Sequence, residues 1–265
     1  MSPDETGSIP SKELRLPPKH MRWGGPRYKD DAKYVQSGKS SVSSLASLCA
    51  LSPKSRLLDI GCGQGRLLTG IFASFGTIRE YVGLDVHKPS VEWTSKNLAA
   101  GLPHIAFHHL PVLNERYNPL AVRAPADFAF PVPAEHFDVI SLFSVFSHMN
   151  LADIGIYLRE IRKALALEGK VFCSLFVEYG VKDEEENPVD YYRDWDGPLH
   201  CVRINRFRFE ELVYASGLIV DYFRYRHTND GQSTYVLSRG DGPRFLATVV
   251  PEKDERASTA PAKNG

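Results

Sequence analysis

The sequence predicts an α/β fold with a mostly parallel sheet, and three observations carry that expectation. Short apolar runs alternate with stretches of helical period along much of the chain. One run, Arg56-Leu57-Leu58-Asp59-Ile60, ends in the glycine-rich turn Gly61-Cys62-Gly63-Gln64-Gly65, and Leu67, Leu68, Ile71 and Phe72 follow at helical spacing. The next run, Tyr81-Val82-Gly83-Leu84, closes on the acidic residue Asp85. Strand, turn, helix and strand in that order imply right-handed crossovers, and therefore parallel strands.

The other elements follow in chain order. Residues 14–34 hold Pro17-Pro18, Trp23, Gly24-Gly25-Pro26 and Tyr28, too many breakers for a regular element and too many aromatics for a free linker. Such a piece is expected to pack over the body. Residues 38–51 carry Val42, Leu45, Ala46, Leu48 and Cys49 at helical spacing and stop at Ser52-Pro53. A second helix is expected over 88–100 and a third strand over 105–110. Residues 111–135, with Pro119, Pro125, Pro131 and Pro133, read as a long insertion, and such connections are commonly functional. A fourth strand over 137–144, a helix over 151–167 ending at Gly169, and a fifth strand over 171–177 come next. Residues 178–206 read as a second, irregular insertion whose Asp183-Glu184-Glu185-Glu186 is most simply a solvated loop. A helix over 209–216 closes at Gly217, and strands over 218–225 and 232–237 flank the turn Thr228-Asn229-Asp230-Gly231.

Composition bounds the rest. At 265 residues and 43% hydrophobic, the chain can bury the core of one domain, expected over 13–245, with polar tails at 1–12 and 246–265 expected to be disordered. Basic and acidic residues balance at 32 each, which removes any general electrostatic reason to bind nucleic acid. No apolar run approaches the ~18 residues of a membrane span. The four cysteines form no C-x-x-C pair, so no zinc site or disulfide framework is expected, and a reducing, cytoplasmic setting fits.

Function turns on the glycine spacing. A dinucleotide fingerprint would need glycine where the chain has Arg66, whereas the pattern here is Asp-x-Gly-x-Gly-x-Gly from Asp59 to Gly65. Asp59 offers a carboxylate to an ammonium or to hydroxyls, and Asp85, at the end of the second strand, can accept both hydrogens of a ribose diol. On these residues the sequence resembles the class I S-adenosylmethionine-dependent methyltransferases. The resemblance implies a Rossmann-like class I methyltransferase fold, a seven-stranded mostly parallel sheet with an antiparallel C-terminal hairpin strand. It also implies S-adenosylmethionine held by Asp59, Gly61, Cys62, Gly63, Gly65, Asp85, Val86, Val112 and Phe143.

A narrower resemblance, to a bacterial branch found with sugar-modifying enzymes, rests on Met21-Arg22-Trp23-Gly24-Gly25, Tyr117-Asn118-Pro119, Phe130-Pro131, Ser144-Val145-Phe146-Ser147-His148 and Gly231-Gln232. Pro111 stands where that branch typically has an acidic residue that helps place the adenine, which leaves the backbone of Val112 as the contact. His148 follows the fourth strand and is the candidate base, in competition with His200, Asp194 and Asp196 and with a plain capping role. Trp23, Tyr28, Tyr192 and Trp195 are candidate walls for a ring-shaped acceptor. The expected activity is O-methylation of a carbohydrate or other hydroxylated small molecule. The alternatives are a secondary-metabolite or N-methyltransferase and a cofactor-binding module without turnover. A nucleic-acid amino-methyltransferase is disfavoured, because Phe143-Ser144-Val145-Phe146 replaces the Asn/Asp-Pro-Pro-aromatic motif.

Overall fold

A computed structural model describes residues 14–125 and 127–242, so both expected tails lie outside the described residues. Helix α1 (Asp31–Cys49) leads into β1 (Arg56–Ile60), α2 (Arg66–Phe75), β2 (Glu80–Asp85), α3 (Lys88–Asn97) and β3 (Ile105–His109). After the first insertion come β4 (Phe137–Leu142), α4 (Leu151–Ala164) and β5 (Leu165–Glu178). The chain closes with β6 (Glu184–Glu186), β7 (Val202–Asn205), α5 (Arg206–Ala215), β8 (Leu218–Arg224) and β9 (Ser233–Arg239).

Strands β3, β2, β1, β4 and β5 lie side by side and parallel, with β9 antiparallel to both β5 and β8. Those seven strands are the expected sheet. The strand order reverses between β1 and β4, which opens a crevice at their carboxyl ends. Successive strand residues feed opposite cores: Leu57 and Tyr81 pack with α1, α2 and α3, while Leu58 and Val82 pack with α4 and α5. Both faces are covered, so β1 reads as a continuous apolar run broken only by Asp59.

Four expectations need correction. Helix α1 begins seven residues before position 38, because the Asp30 side chain accepts the Lys33 N–H at 2.8 Å and caps it. Helix α4 stops at Ala164 rather than 167, and the chain enters β5 at once. Gly169 is therefore a strand glycine, set where an added Cβ would lie 2.8 Å from the Phe137 carbonyl, beside the register shift between β4 and β5. The second insertion is not wholly irregular: β7 pairs parallel with β5, and β6 antiparallel with β7, extending the sheet to nine strands among the described residues. The acidic run in β6 is bonded rather than merely solvated. Glu185 meets Arg203 at 2.6 Å, Glu186 accepts from the Leu199 N–H, and Glu184 accepts from the Leu151 N–H.

Helices α1 and α2 cross at Gly38 and Gly70. A Cβ on Gly70 would fall 2.2 Å from the Gly38 carbonyl carbon, so the crossing tolerates no side chain. The same crossing seats Arg66, whose guanidinium donates to the Ser37 carbonyl at 3.2 Å and to the Ser41 hydroxyl at 2.9 Å. Gly70→Val should separate the helices and lower unfolding free energy by about 3 kcal/mol, read from urea denaturation. An unchanged midpoint would contradict the crossing.

Candidate functional site

The crevice at the carboxyl ends of β1, β2 and β4 opens into one cleft of about 1230 Å³. Single small-molecule sites run to roughly 300–1,000 Å³, so this one has room for two molecules. The glycine turn forms part of its lining, with Gly61, Gly63 and Gly65 at φ +70°, +51° and +75°. Those conformations suit glycine. An added Cβ would strike Val145 Cγ2 at 2.4 Å from Gly61 and Leu98 Cδ1 at 2.4 Å from Gly65, whereas at Gly63 it would meet nothing within 4 Å. Bare backbone thus faces open space at the middle glycine.

The turn is held from several sides. Asp85 accepts the Gly63 N–H at 2.7 Å through one oxygen and the His87 N–H at 2.8 Å through the other. Burial raises the Asp85 carboxyl, and these two backbone donors pull it back. The Tyr34 hydroxyl donates to the Gln64 carbonyl at 3.4 Å, and the Gln64 amide donates to Ser90 at 2.8 Å, tying the turn to α1 and α3. Asp59 is buried behind the turn. Its oxygens accept from the hydroxyls of Tyr81 at 2.7 Å and Ser141 at 2.8 Å, joining β1 to β2 and β4. Burial lifts its carboxyl to about 6.

The sequence-derived candidates sort into distinct roles. Cys62 contributes backbone to the cleft, since its buried Sγ lies where a Cβ on Gly83 would be 2.9 Å away. Val86, Val112 and Phe143 border the cleft. Of the Val112 backbone, the N–H is taken by the Leu110 carbonyl at 2.9 Å, while the carbonyl accepts from Asn118 at 3.0 Å and keeps a second lone pair. Trp23 lies 4.4 Å from the Tyr117 ring and 5.1 Å from His87, so the N-terminal piece does pack over the body. Tyr28 and Trp195 also line the cleft. Tyr192 does not; it lies against Gly231, where its ring leaves no room for a Cβ.

His148 ends a 3-10 turn after β4 and borders the same cleft. Its Nδ1 lies 2.9 Å from the Leu199 carbonyl, and the Asn114 amide donates to its backbone carbonyl at 3.0 Å. One insertion therefore fixes the ring and the other fixes the backbone. A carbonyl partner requires Nδ1–H, which leaves Nε2 with a lone pair. Burial first, with Arg116 adding to it, drives this imidazole down to about 4, so it is neutral at physiological pH.

A polar cluster went unassigned in the sequence. Gln232, 2% exposed, donates to Ser144 at 2.7 Å and to Asp230 at 3.0 Å and accepts from Ser174 at 2.9 Å. It ties the exit of β4 to β5 and to the start of β9 and supports Ser144 at φ +57°. The available signal was Gly231-Gln232 itself, an amide directly after a tight turn.

Residues 58–171 match a family model described as "Methyltransferase domain". Solved structures share the fold. One is a SAM-dependent methyltransferase from Leishmania major, at 20% identity and TM-score 0.53 over 79% of this chain and 74% of that one. Another is the magnesium protoporphyrin IX methyltransferase of Synechocystis PCC 6803 with bound SAM, at 11% identity and TM-score 0.52 over 83% and 88%. A third, the [4+2]-cyclase SpnF, gives 15% identity and TM-score 0.55 over 78% and 82%. The fold by itself therefore serves more than one chemistry. Residues 58–171 thus carry a methyltransferase-domain match, and the described residues share the fold of solved methyltransferases.

The neutral, half-buried His148 carries a pH signature. Unfolded it titrates near ~6.5; folded, it titrates at about 4. Between those values the unfolded chain binds more protons, so this residue's contribution to stability falls as pH drops from about 6.5 toward about 4. His148→Asn should flatten the difference in urea stability between pH 7 and pH 5. An identical pH dependence in variant and parent would contradict the assigned protonation.

Proposed function

We propose that the protein is an S-adenosylmethionine-dependent enzyme that methylates an oxygen of a hydroxylated small molecule, carbohydrates included, and that Asp85 and the glycine turn hold the cofactor. The observation that carries the reading is His148: half-buried, with Nδ1 on the Leu199 carbonyl and Nε2 left as the acceptor, in the same cleft as the bare backbone of Gly63. The residues fit the cofactor. Gly61 and Gly63 present backbone in the cleft, Gly65 lets the turn pass against Leu98, and the free lone pairs of Asp85 suit a ribose diol. Phe143, Val86 and Val112 offer apolar surface to a purine. When bound, S-adenosylmethionine supplies an electrophilic methyl group.

What the protein adds is position and proton management. A hydroxyl is a weak nucleophile until its proton departs, and His148 Nε2 is placed to accept that proton while Leu199 stabilises the imidazolium through Nδ1–H. Trp23, Tyr117 and Trp195 shield the cleft and offer ring surfaces to an acceptor. A second reading is a module that binds the cofactor without turnover, favoured by Pro111 and by an imidazole lowered to about 4, which makes His148 a weak base. Titration with S-adenosylhomocysteine together with transfer assays on a panel of hydroxylated acceptors separates them: binding with transfer supports the enzyme, and binding without transfer to any acceptor supports the module.

Two substitutions test the roles. Asp85→Ala should weaken S-adenosylhomocysteine binding by about tenfold or more in calorimetry, since a charged acceptor for hydroxyls is removed. Unchanged affinity would dismiss Asp85 as the ribose partner. His148→Ala should reduce kcat by about 10²- to 10⁴-fold while leaving that affinity intact. Full turnover in the variant would assign His148 to packing.

A further inference from the structure

Two arginines reach the cleft from different insertions. Arg116 comes from the segment after β3 and Arg193 from the segment after β6, and both line the cleft with His148 and His200. Arg116 spans the gap between insertions, donating to the Asp196 backbone carbonyl at 3.3 Å, and its guanidinium lies 5.6 Å from the Tyr117 ring. Its Nε is buried and meets no acceptor among the described residues. Arg193 lies 4.6 Å over the Trp195 ring, which also meets His200 at 5.3 Å and Phe176 at 5.4 Å. Among the described residues neither arginine forms an ion pair with a carboxylate.

The acids around the cleft are engaged elsewhere. Asp85 accepts two backbone N–H groups, Asp153 is bonded by Asn150, and Asp230 by Thr228 and Gln232. Asp59 is closed by two hydroxyls. The Asp196 carboxylate acts on His200 but pairs with neither guanidinium, so among the described residues this end of the cleft holds a half-buried Arg116 and an exposed Arg193 without carboxylate partners, set between aromatic faces. Guanidinium groups favour planar, bidentate oxyanions.

We infer that Arg116 and Arg193 form a subsite for an anionic group, a carboxylate or phosphate, carried on a ring-bearing acceptor that stacks against Tyr117 and Trp195. This deepens the proposed function and rests on its placing the acceptor beside His148. The subsite also couples to the base. His148 and His200 are both pushed down, by burial first and by Arg116 after it. An acceptor anion between the guanidinium groups offsets that cationic contribution and raises His148 toward the working pH.

Calorimetry on protein saturated with S-adenosylhomocysteine tests this, using 4-hydroxybenzoate, phenyl phosphate and the neutral phenol at matched ionic strength. At least one anion should bind about tenfold or more tightly than phenol, and which of the two does so identifies the oxyanion. That preference should fall to about threefold or less in both Arg116→Met and Arg193→Met, with S-adenosylhomocysteine affinity unchanged. Arg116→Lys should retain part of it. Equal binding of the three ligands to the parent, or a preference intact in both Met variants, overturns the subsite. Failure of S-adenosylhomocysteine to bind would instead strike the cofactor reading, and the same three titrations without it then decide the subsite alone.

Discussion

Everything at the cleft depends on where the glycine turn runs. It leaves β1 between Val145 on one side and Leu98 on the other, so close that neither Gly61 nor Gly65 can carry a side chain. The Asp85 carboxylate holds its middle through Gly63 and, through His87, the start of the next helical segment. A single side chain thereby fixes two backbone segments and keeps lone pairs for a ligand. Behind the turn, Asp59 ties three neighbouring strands together at the point where the strand order reverses.

On this frame the two insertions complete the site. The first delivers Asn114, Arg116 and Tyr117; the second delivers Arg193, Trp195 and the Leu199 carbonyl. They meet at His148, one through its backbone and the other through its ring. Neither insertion could position the imidazole alone. The extra strands β6 and β7 explain how the second insertion is anchored, since β7 pairs with the end of β5 and the acids of β6 bond outward to Arg203, Leu199 and Leu151.

The main sheet could be read from the chain because its signals are local. Apolar runs at Leu57, Val82 and Val139 and the glycines after Ile60 report strand and turn without knowledge of distant partners. What failed to register depends on partners far along the chain. Glu184–Glu186 reads as solvated until Arg203 and the Leu199 N–H are brought beside it. Gly169 looks like a helix terminator, yet its need arises from the approach of Phe137. Tyr192 shares the aromatic character of Trp195, but its φ of +54° and its packing on Gly231 turn it out of the cleft. The Val112 N–H is consumed by the Leu110 carbonyl two residues back, a local turn that the apolar pattern does not signal. The arginine pair was invisible because balanced composition hides local charge.

The most direct measurement is a crystal structure of the protein with S-adenosylhomocysteine. The ligand should lie across Gly61, Gly63 and Gly65 with its ribose hydroxyls on Asp85 and its sulfur open toward His148. Density for the ligand in another part of the molecule, or a ribose bonded to any other carboxylate, would contradict the placement on which the proposed chemistry rests.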